Sequence, residues 1–156
     1  MTKTITFVDD QIPVDPGEDA GLIEAKRIEE LVKLTTVEWH SQVNLKTLIE
    51  KLMLTDRYKN KKIIISGVTH PSILLNKIEE DKFSPDVIVY DWEYEMESDE
   101  SGSNLLEILK TTKSFVFVYS SFFDAIPPTL HKKEFDAFAN RIQLLSKGDR
   151  QSSIFS

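Results

Sequence analysis

The chain has 156 residues, 40% of them hydrophobic, which is enough apolar material for one core of ordinary domain size. It has no cysteine, which excludes disulfides, thiolate metal sites and cysteine nucleophiles. The formal net charge of -7 disfavours direct contact with nucleic acid. No apolar run approaches the roughly 20 residues that cross a bilayer, and the N-terminus lacks a signal-peptide core. We therefore expect a single soluble, cytoplasmic domain over residues 1–156, without membrane insertion.

Five short apolar segments have the composition of buried parallel β-strands, because they are rich in β-branched and aromatic residues. The first, Thr4–Val8, ends abruptly at two aspartates. The other predicted strands are Ile63–Ser66, Asp86–Tyr90, Phe115–Tyr119 and Ile142–Leu145.

Segments with helical periodicity lie between these strands. Glu18–Leu34 has apolar residues at helical spacing and predicts an amphipathic helix. Thr35–Ser41 is β-prone and precedes a helical segment that runs from Leu45 to about Thr55, so this region predicts either a further βα unit or a helical hairpin. Later helices are predicted over Pro71–Glu80, around Leu105–Leu109 and over Leu130–Ala139. The alternation predicts an α/β fold with a doubly wound, five-stranded parallel sheet.

Polar residues follow four of the five predicted strands. Asp9 and Asp10 follow the first strand, Asp91 the third, Ser120 the fourth and Lys147 the fifth. Because the carboxyl ends of parallel strands meet at one edge of the sheet, we expect these side chains to share a cleft. Three clustered carboxylates repel one another unless a cation lies among them, and oxygen ligands suit Mg²⁺. The lysine and the hydroxyl suit phosphate oxygens.

The segments ITFVDDQ, DVIVYD, VFVYSS and LLSKGD resemble the four signature segments of response-regulator receiver domains of two-component signalling. Each segment alone is weak evidence, since many buried strands end in Asp, but four in the right order are fairly specific. The resemblance covers nearly the whole chain apart from about residues 15–58, which correspond to a long first-helix region or insertion. It implies a flavodoxin-like, CheY-like fold with a shortened C-terminus, since few residues follow the lysine.

The resemblance further implies a phosphoacceptor role and a Mg²⁺ site. Asp91 would accept a phosphoryl group from a histidine kinase or a phosphotransfer protein. Asp10 would bind Mg²⁺ directly and Asp9 mostly through water, with Asp91 and the backbone carbonyl of Glu93 completing the protein ligands.

Two further residues complete the site that the resemblance implies. Lys147 would pair with one phosphoryl oxygen, and Ser120 would move to hydrogen-bond another. That movement would repack the fourth strand and switch the binding of a downstream protein partner. The chain would then be a stand-alone signalling switch or phosphorelay element, a phosphoprotein rather than an enzyme, and self-dephosphorylation is compatible with this role.

Departures from the family pattern keep two alternatives open. Gly148 stands where the family has proline, and Leu144 stands at a position that is often aromatic. The missing proline, the shortened C-terminus and the insertion favour a pseudo-receiver that binds partners without being phosphorylated. A small Mg²⁺-dependent phosphohydrolase is the other alternative. It is less favoured because Gln11 or Ile12 occupies the position of the acid/base aspartate.

Overall fold

The computed structural model describes residues 2–9, 12, 23–24, 49–92, 103–120 and 133–146. A six-stranded sheet lies at the centre of this part of the chain, and its strands follow the order β2-β3-β1-β4-β5-β6. Five strands are parallel, and β2 pairs antiparallel with β3 at one edge. The strands are β1 (Lys3–Val8), β2 (Ile23–Glu24), β3 (Ile63–Val68), β4 (Val87–Asp91), β5 (Phe115–Ser120) and β6 (Ile142–Ser146).

The predicted doubly wound α/β fold is confirmed. All five predicted strands are present, each within about two residues of its expected ends, and all five are mutually parallel. The first strand, β1, lies inside the sheet, with β3 and β2 on one side of it and β4, β5 and β6 on the other. This is the flavodoxin-like strand order, whose switch point lies beside β1.

Helices connect the strands where the periodicity predicts them, except for the short helix Asp56–Lys59, which lies in a segment predicted to be a polar linker. They are α1 (Asp56–Lys59), α2 (Pro71–Asp81), α3 (Ser103–Thr111) and a 3₁₀ helix, η1 (Lys133–Arg141), and residues 49–53 are also helical. At the start of α2, the ring of His70 accepts a hydrogen bond from the backbone N–H of Ser72 at 3.0 Å, and Pro71 occupies the first turn. None of the helices in the described ranges is long and apolar enough to cross a membrane.

One helix prediction is wrong at two residues. Ile23–Glu24, inside the predicted helix Glu18–Leu34, form β2 and pair with Gly67 and Ser66 of β3. Without β2, this side of β3 would be a sheet edge with unpaired backbone groups, and the short antiparallel strand pairs them. The remainder of Glu18–Leu34 and all of Thr35–Ser41 lie outside the described residues.

The last predicted helix is present but belongs to a different class. We expect a helix over Leu130–Ala139, and its described part is the 3₁₀ helix η1, which leads directly into β6. Phe135 is buried and Phe138 is half-buried, and both pack in the same hydrophobic cluster. A repeat of three residues per turn aligns positions three apart, so the 3₁₀ geometry suits this pair.

Hydrophobic residues cover both faces of the sheet, as a parallel sheet requires. On the first face, strand residues such as Phe7 and Val89 pack with Ile49 and Leu52 of the helical segment 49–53. On the second face, the core is built from strand residues and from α2, α3 and η1: Val8, Ile88, Tyr90, Val118, Leu74, Leu105, Ile108 and Phe135.

Arg141 joins the end of α3 to the start of β6. Its guanidinium donates hydrogen bonds to the backbone carbonyls of Leu109 (3.1 Å), Thr112 (2.8 Å) and Ser114 (3.0 Å). These carbonyls lie at the C-terminal end of α3 and just beyond it, where a helix leaves acceptors unpaired. Desolvation lowers the pKa of Arg141 from its ordinary value. These three hydrogen bonds from Arg141 fix the start of β6 against the C-terminal end of α3.

Candidate functional site

Three polar side chains occupy one level at the carboxyl ends of adjacent strands. Asp91, the last residue of β4, lies opposite Tyr119 of β5 in the parallel register. Val8 of β1 lies opposite Tyr90, so Asp9 comes next at the level of Asp91. Because side chains alternate across a strand, Asp9, Asp91 and Tyr119 all belong to the first face of the sheet.

Two backbone hydrogen bonds fix the position of Asp9. Its N–H donates to the carbonyl of Val68 at 3.1 Å, which continues the pairing of β1 with β3. Its carbonyl accepts from the N–H of Ile12 at 3.2 Å, closing a turn. The Ile12 side chain is 2% exposed and packs in the first-face cluster, so apolar burial fixes this turn. The carboxylate of Asp9 is fully buried as a result.

Asp91 is fixed by the residues on either side of it. Tyr90 and Trp92 are buried in the second-face cluster, and the N–H of Trp92 donates to the carbonyl of Tyr119 at 2.9 Å. Alternation then places the Asp91 side chain on the opposite, first face. The side chain is 0% exposed.

Tyr119 is the site residue that the sequence reasoning missed. Its hydroxyl donates a hydrogen bond to Oδ2 of Asp9, although β4 lies between the two strands. Both side chains are buried, and a buried carboxylate needs such donors. The sequence did contain a pointer to this residue: Tyr119 ends a predicted buried strand, and the hydroxyl of a buried tyrosine requires a polar partner.

The other predicted site residues are only partly covered by the described ranges. Ser120 is the last residue of β5 and lies opposite Ser146, the last residue of β6. Lys147 follows Ser146 directly in the sequence but lies outside the described residues, as do Asp10 and Glu93. The structure therefore brings Asp9 and Asp91 to one edge and ends β5 and β6 at that same edge.

The chemistry of the two carboxylates fits a hard divalent cation. Asp9 and Asp91 supply oxygen donors at the ends of neighbouring strands, and both residues are completely buried. Within the described ranges, no group of three or more acidic or histidine side chains could hold a metal. A Mg²⁺ ion here would need ligands beyond this pair; in the sequence, Asp10 directly follows Asp9, and Glu93 lies two residues after Asp91.

No protein family, curated protein or solved structure matches this chain.

Proposed function

We propose that this chain is a receiver-like signalling domain that accepts a phosphoryl group on Asp91 in the cytoplasm. One observation carries the proposal: two carboxylates, Asp9 and Asp91, are buried side by side at the carboxyl edge of a flavodoxin-like sheet. A ligand site in such a sheet lies outside the carboxyl ends of its strands, next to the switch point. The phosphodonor is a histidine kinase or a phosphotransfer protein.

The reaction is an in-line phosphoryl transfer. An oxygen of Asp91 attacks the phosphorus of a phosphohistidine, the O–P bond forms, and the N–P bond breaks. The leaving imidazole keeps the electron pair and is protonated by solvent. Such transfers depend mainly on positioning and on neutralising charge at the phosphoryl oxygens.

A divalent cation and a lysine neutralise the negative charge of the phosphoryl group. Mg²⁺, held by Asp9, Asp10, Asp91 and the carbonyl of Glu93, would neutralise part of it. Lys147 pairs with a phosphoryl oxygen, as expected for an ammonium beside an acyl phosphate.

Signal output starts at the end of β5. Ser120 hydrogen-bonds the phosphoryl group, and it is joined to Tyr119, whose hydroxyl contacts Asp9. A displacement of Ser120 therefore also moves Tyr119, which is hydrogen-bonded to Asp9. Phosphorylation of Asp91 and metal binding at Asp9 would thus both change the conformation at the end of β5. A downstream protein partner reads that change.

The Tyr119–Asp9 hydrogen bond also favours a second candidate, the pseudo-receiver. A tyrosine hydroxyl satisfies part of the hydrogen-bonding capacity of Asp9 without any metal. A chain that keeps this contact permanently would use the same surface for protein binding and would never be phosphorylated.

An intact-mass experiment separates the two candidates. The wild type is incubated with acetyl phosphate and Mg²⁺, beside Asp91→Asn and the matched control Asp136→Asn, which removes an exposed carboxylate on η1. We expect one added phosphoryl group in the wild type and in the control, and none in Asp91→Asn or after chelation of Mg²⁺. An unmodified wild type would contradict the phosphoacceptor role and favour the pseudo-receiver.

A further inference from the structure

A groove of about 910 Å³ opens on the first face of the sheet, at the opposite end from Asp9 and Asp91. It is lined by the first residues of four parallel strands, Lys3, Ile63, Val87 and Phe115, with α1 beside them. Its volume lies within the range of pockets that enclose small molecules. The candidate phosphoacceptor site does not use it.

The floor of the groove is apolar. Ile5 and Phe117 are buried, and Ile63, Val87 and Phe115 are half-buried, so part of each of these last three side chains faces the groove. The rings of Phe115 and Phe117 lie 5.1 Å apart along β5. Four adjacent strands at a spacing of about 4.8 Å give an apolar strip about 14 Å wide. An extended alkyl chain of about ten to twelve carbons has the length needed to cross the full width of this strip.

The rim of the groove is cationic. Lys3, Arg57, Lys62 and Lys113 line it, and all four side chains are exposed. They lie at the amino ends of the strands or in α1. The N–H of Lys3 donates to the carbonyl of Lys62 at 2.9 Å, and the N–H of Lys62 donates to the carbonyl of Arg57 at 2.7 Å. Three of the cations therefore come from adjacent backbone positions at one end of the apolar strip.

Two carboxylates also line the groove, but they do not cancel this charge. Asp86 accepts a hydrogen bond from the N–H of Thr4 at 2.8 Å, which ties its Oδ2 to the backbone of β1. Asp56 begins α1. Four cations against two carboxylates leave an excess of positive charge in a chain whose formal net charge is -7. This local reversal of sign is an electrostatic feature that favours an anion.

We propose that the groove binds a linear amphiphile with one anionic head, a free long-chain carboxylate. The head lies among Lys3, Arg57 and Lys62, and the alkyl chain lies across the strip from Ile63 to Phe115. Apolar contact with the floor supplies the non-directional part of the affinity, and the cationic end sets the orientation and the preference for anions. The proposal is independent of phosphorylation at Asp91.

Binding is tested on the full chain with 11-(dansylamino)undecanoic acid as a fluorescent probe, and with dodecanoate as a competitor below its micellar concentration. We expect saturable binding at one site, displacement by dodecanoate, and no displacement by acetate or by dodecyltrimethylammonium. Acetate lacks the chain and the ammonium has the wrong charge. Absence of saturable binding, or equal displacement by the cationic amphiphile, would overturn the proposal.

Matched charge reversals locate the site. The double variant R57E and K62E should weaken binding by about tenfold or more, because two attractive charges become repulsive. The double variant K110E and K133E makes the same charge change at two exposed lysines that do not line the groove, and its affinity should stay within about twofold of the wild type. Equal weakening in both variants would mean that only net charge matters, and would refute the site.

A vesicle experiment identifies the source of the head group. Co-sedimentation with phosphatidylglycerol vesicles is compared with binding of monomeric dodecanoate. We expect dodecanoate to bind in the absence of vesicles. Association with vesicles alone would reject the free carboxylate in favour of a membrane surface.

Discussion

The hydroxyl of Tyr119 donates a hydrogen bond to Oδ2 of Asp9, joining β5 to β1 over the intervening strand β4. Asp91 ends that intervening strand and lies opposite Tyr119 in the register. The tyrosine therefore links the two carboxylates of the candidate site: it is bonded to one and adjacent to the other. Any ligand that recruits Asp9 has to compete with this hydroxyl or accommodate it.

Removing the hydroxyl in Tyr119→Phe should destabilise the fold by about 1–3 kcal/mol, because the buried carboxylate of Asp9 loses a donor. Urea unfolding measures this change through the transition midpoint. Tyr58→Phe is the matched control, because Tyr58 is half-buried at the edge of the first-face cluster, and we expect a change below about 0.5 kcal/mol there. Equal destabilisation in the two variants would show that the Tyr119 hydroxyl has no special role.

The same Tyr119→Phe variant should respond more strongly to Mg²⁺ than the wild type does. In the wild type, the hydroxyl competes with the cation for Oδ2 of Asp9, and the variant lacks this competitor. A ligand that binds only the folded state raises the melting temperature more when its Kd is lower at the same ligand concentration, so Mg²⁺ titrations followed by thermal unfolding compare the two proteins. An identical Mg²⁺ response in wild type and variant would show that the Tyr119 hydroxyl does not compete with Mg²⁺ for Asp9.

Replacing Arg141 with methionine should destabilise the protein by about 2–3 kcal/mol, since three backbone carbonyls lose a charged donor. Arg141→Lys should recover part of the loss, because an ammonium cannot reach the three carbonyls with the geometry of a guanidinium. Urea unfolding measures both variants, with the exposed Arg57→Met as control. A loss in Arg57→Met as large as that in Arg141→Met would contradict the assigned role.

Lys82 adopts a left-handed conformation with φ of 56° at the end of α2. Glycine populates this region without the steric cost that a Cβ imposes, so Lys82→Gly should stabilise the protein by about 0.5–1 kcal/mol. Asp81→Gly, one residue earlier and inside the helix, should destabilise it by a similar amount. Thermal unfolding of the pair provides the comparison, and a loss of stability in Lys82→Gly would refute the backbone argument.

The parallel strands could be predicted from the sequence because each is a short apolar run, and the carboxylate Asp91 could be predicted because it ends one such run. The short strand Ile23–Glu24 could not, because two residues carry no periodicity and their conformation depends on pairing with β3. The 3₁₀ geometry of η1 was missed because repeats of 3.0 and 3.6 residues per turn are hard to tell apart over nine residues.

The contact between Tyr119 and Asp9 could not be predicted from the sequence, for a different reason. The two residues are 110 positions apart in the chain, and their meeting depends on strand order, on register and on the direction of each side chain. Strand-end aspartates are recognisable one at a time, but the partner of each is decided by the whole sheet. The sequence therefore predicted the edge where the site lies, and the structure added a hydrogen-bond donor to Asp9.

The position of the added phosphoryl group decides whether Asp91 is the phosphoacceptor. After treatment with Mg²⁺ and acetyl phosphate, borohydride reduction converts an aspartyl phosphate to homoserine, and peptide mass spectrometry locates that residue. We expect homoserine at position 91 only, and only when Mg²⁺ is present. Homoserine at position 9 or 10, or none at all, would contradict the phosphoacceptor role of Asp91.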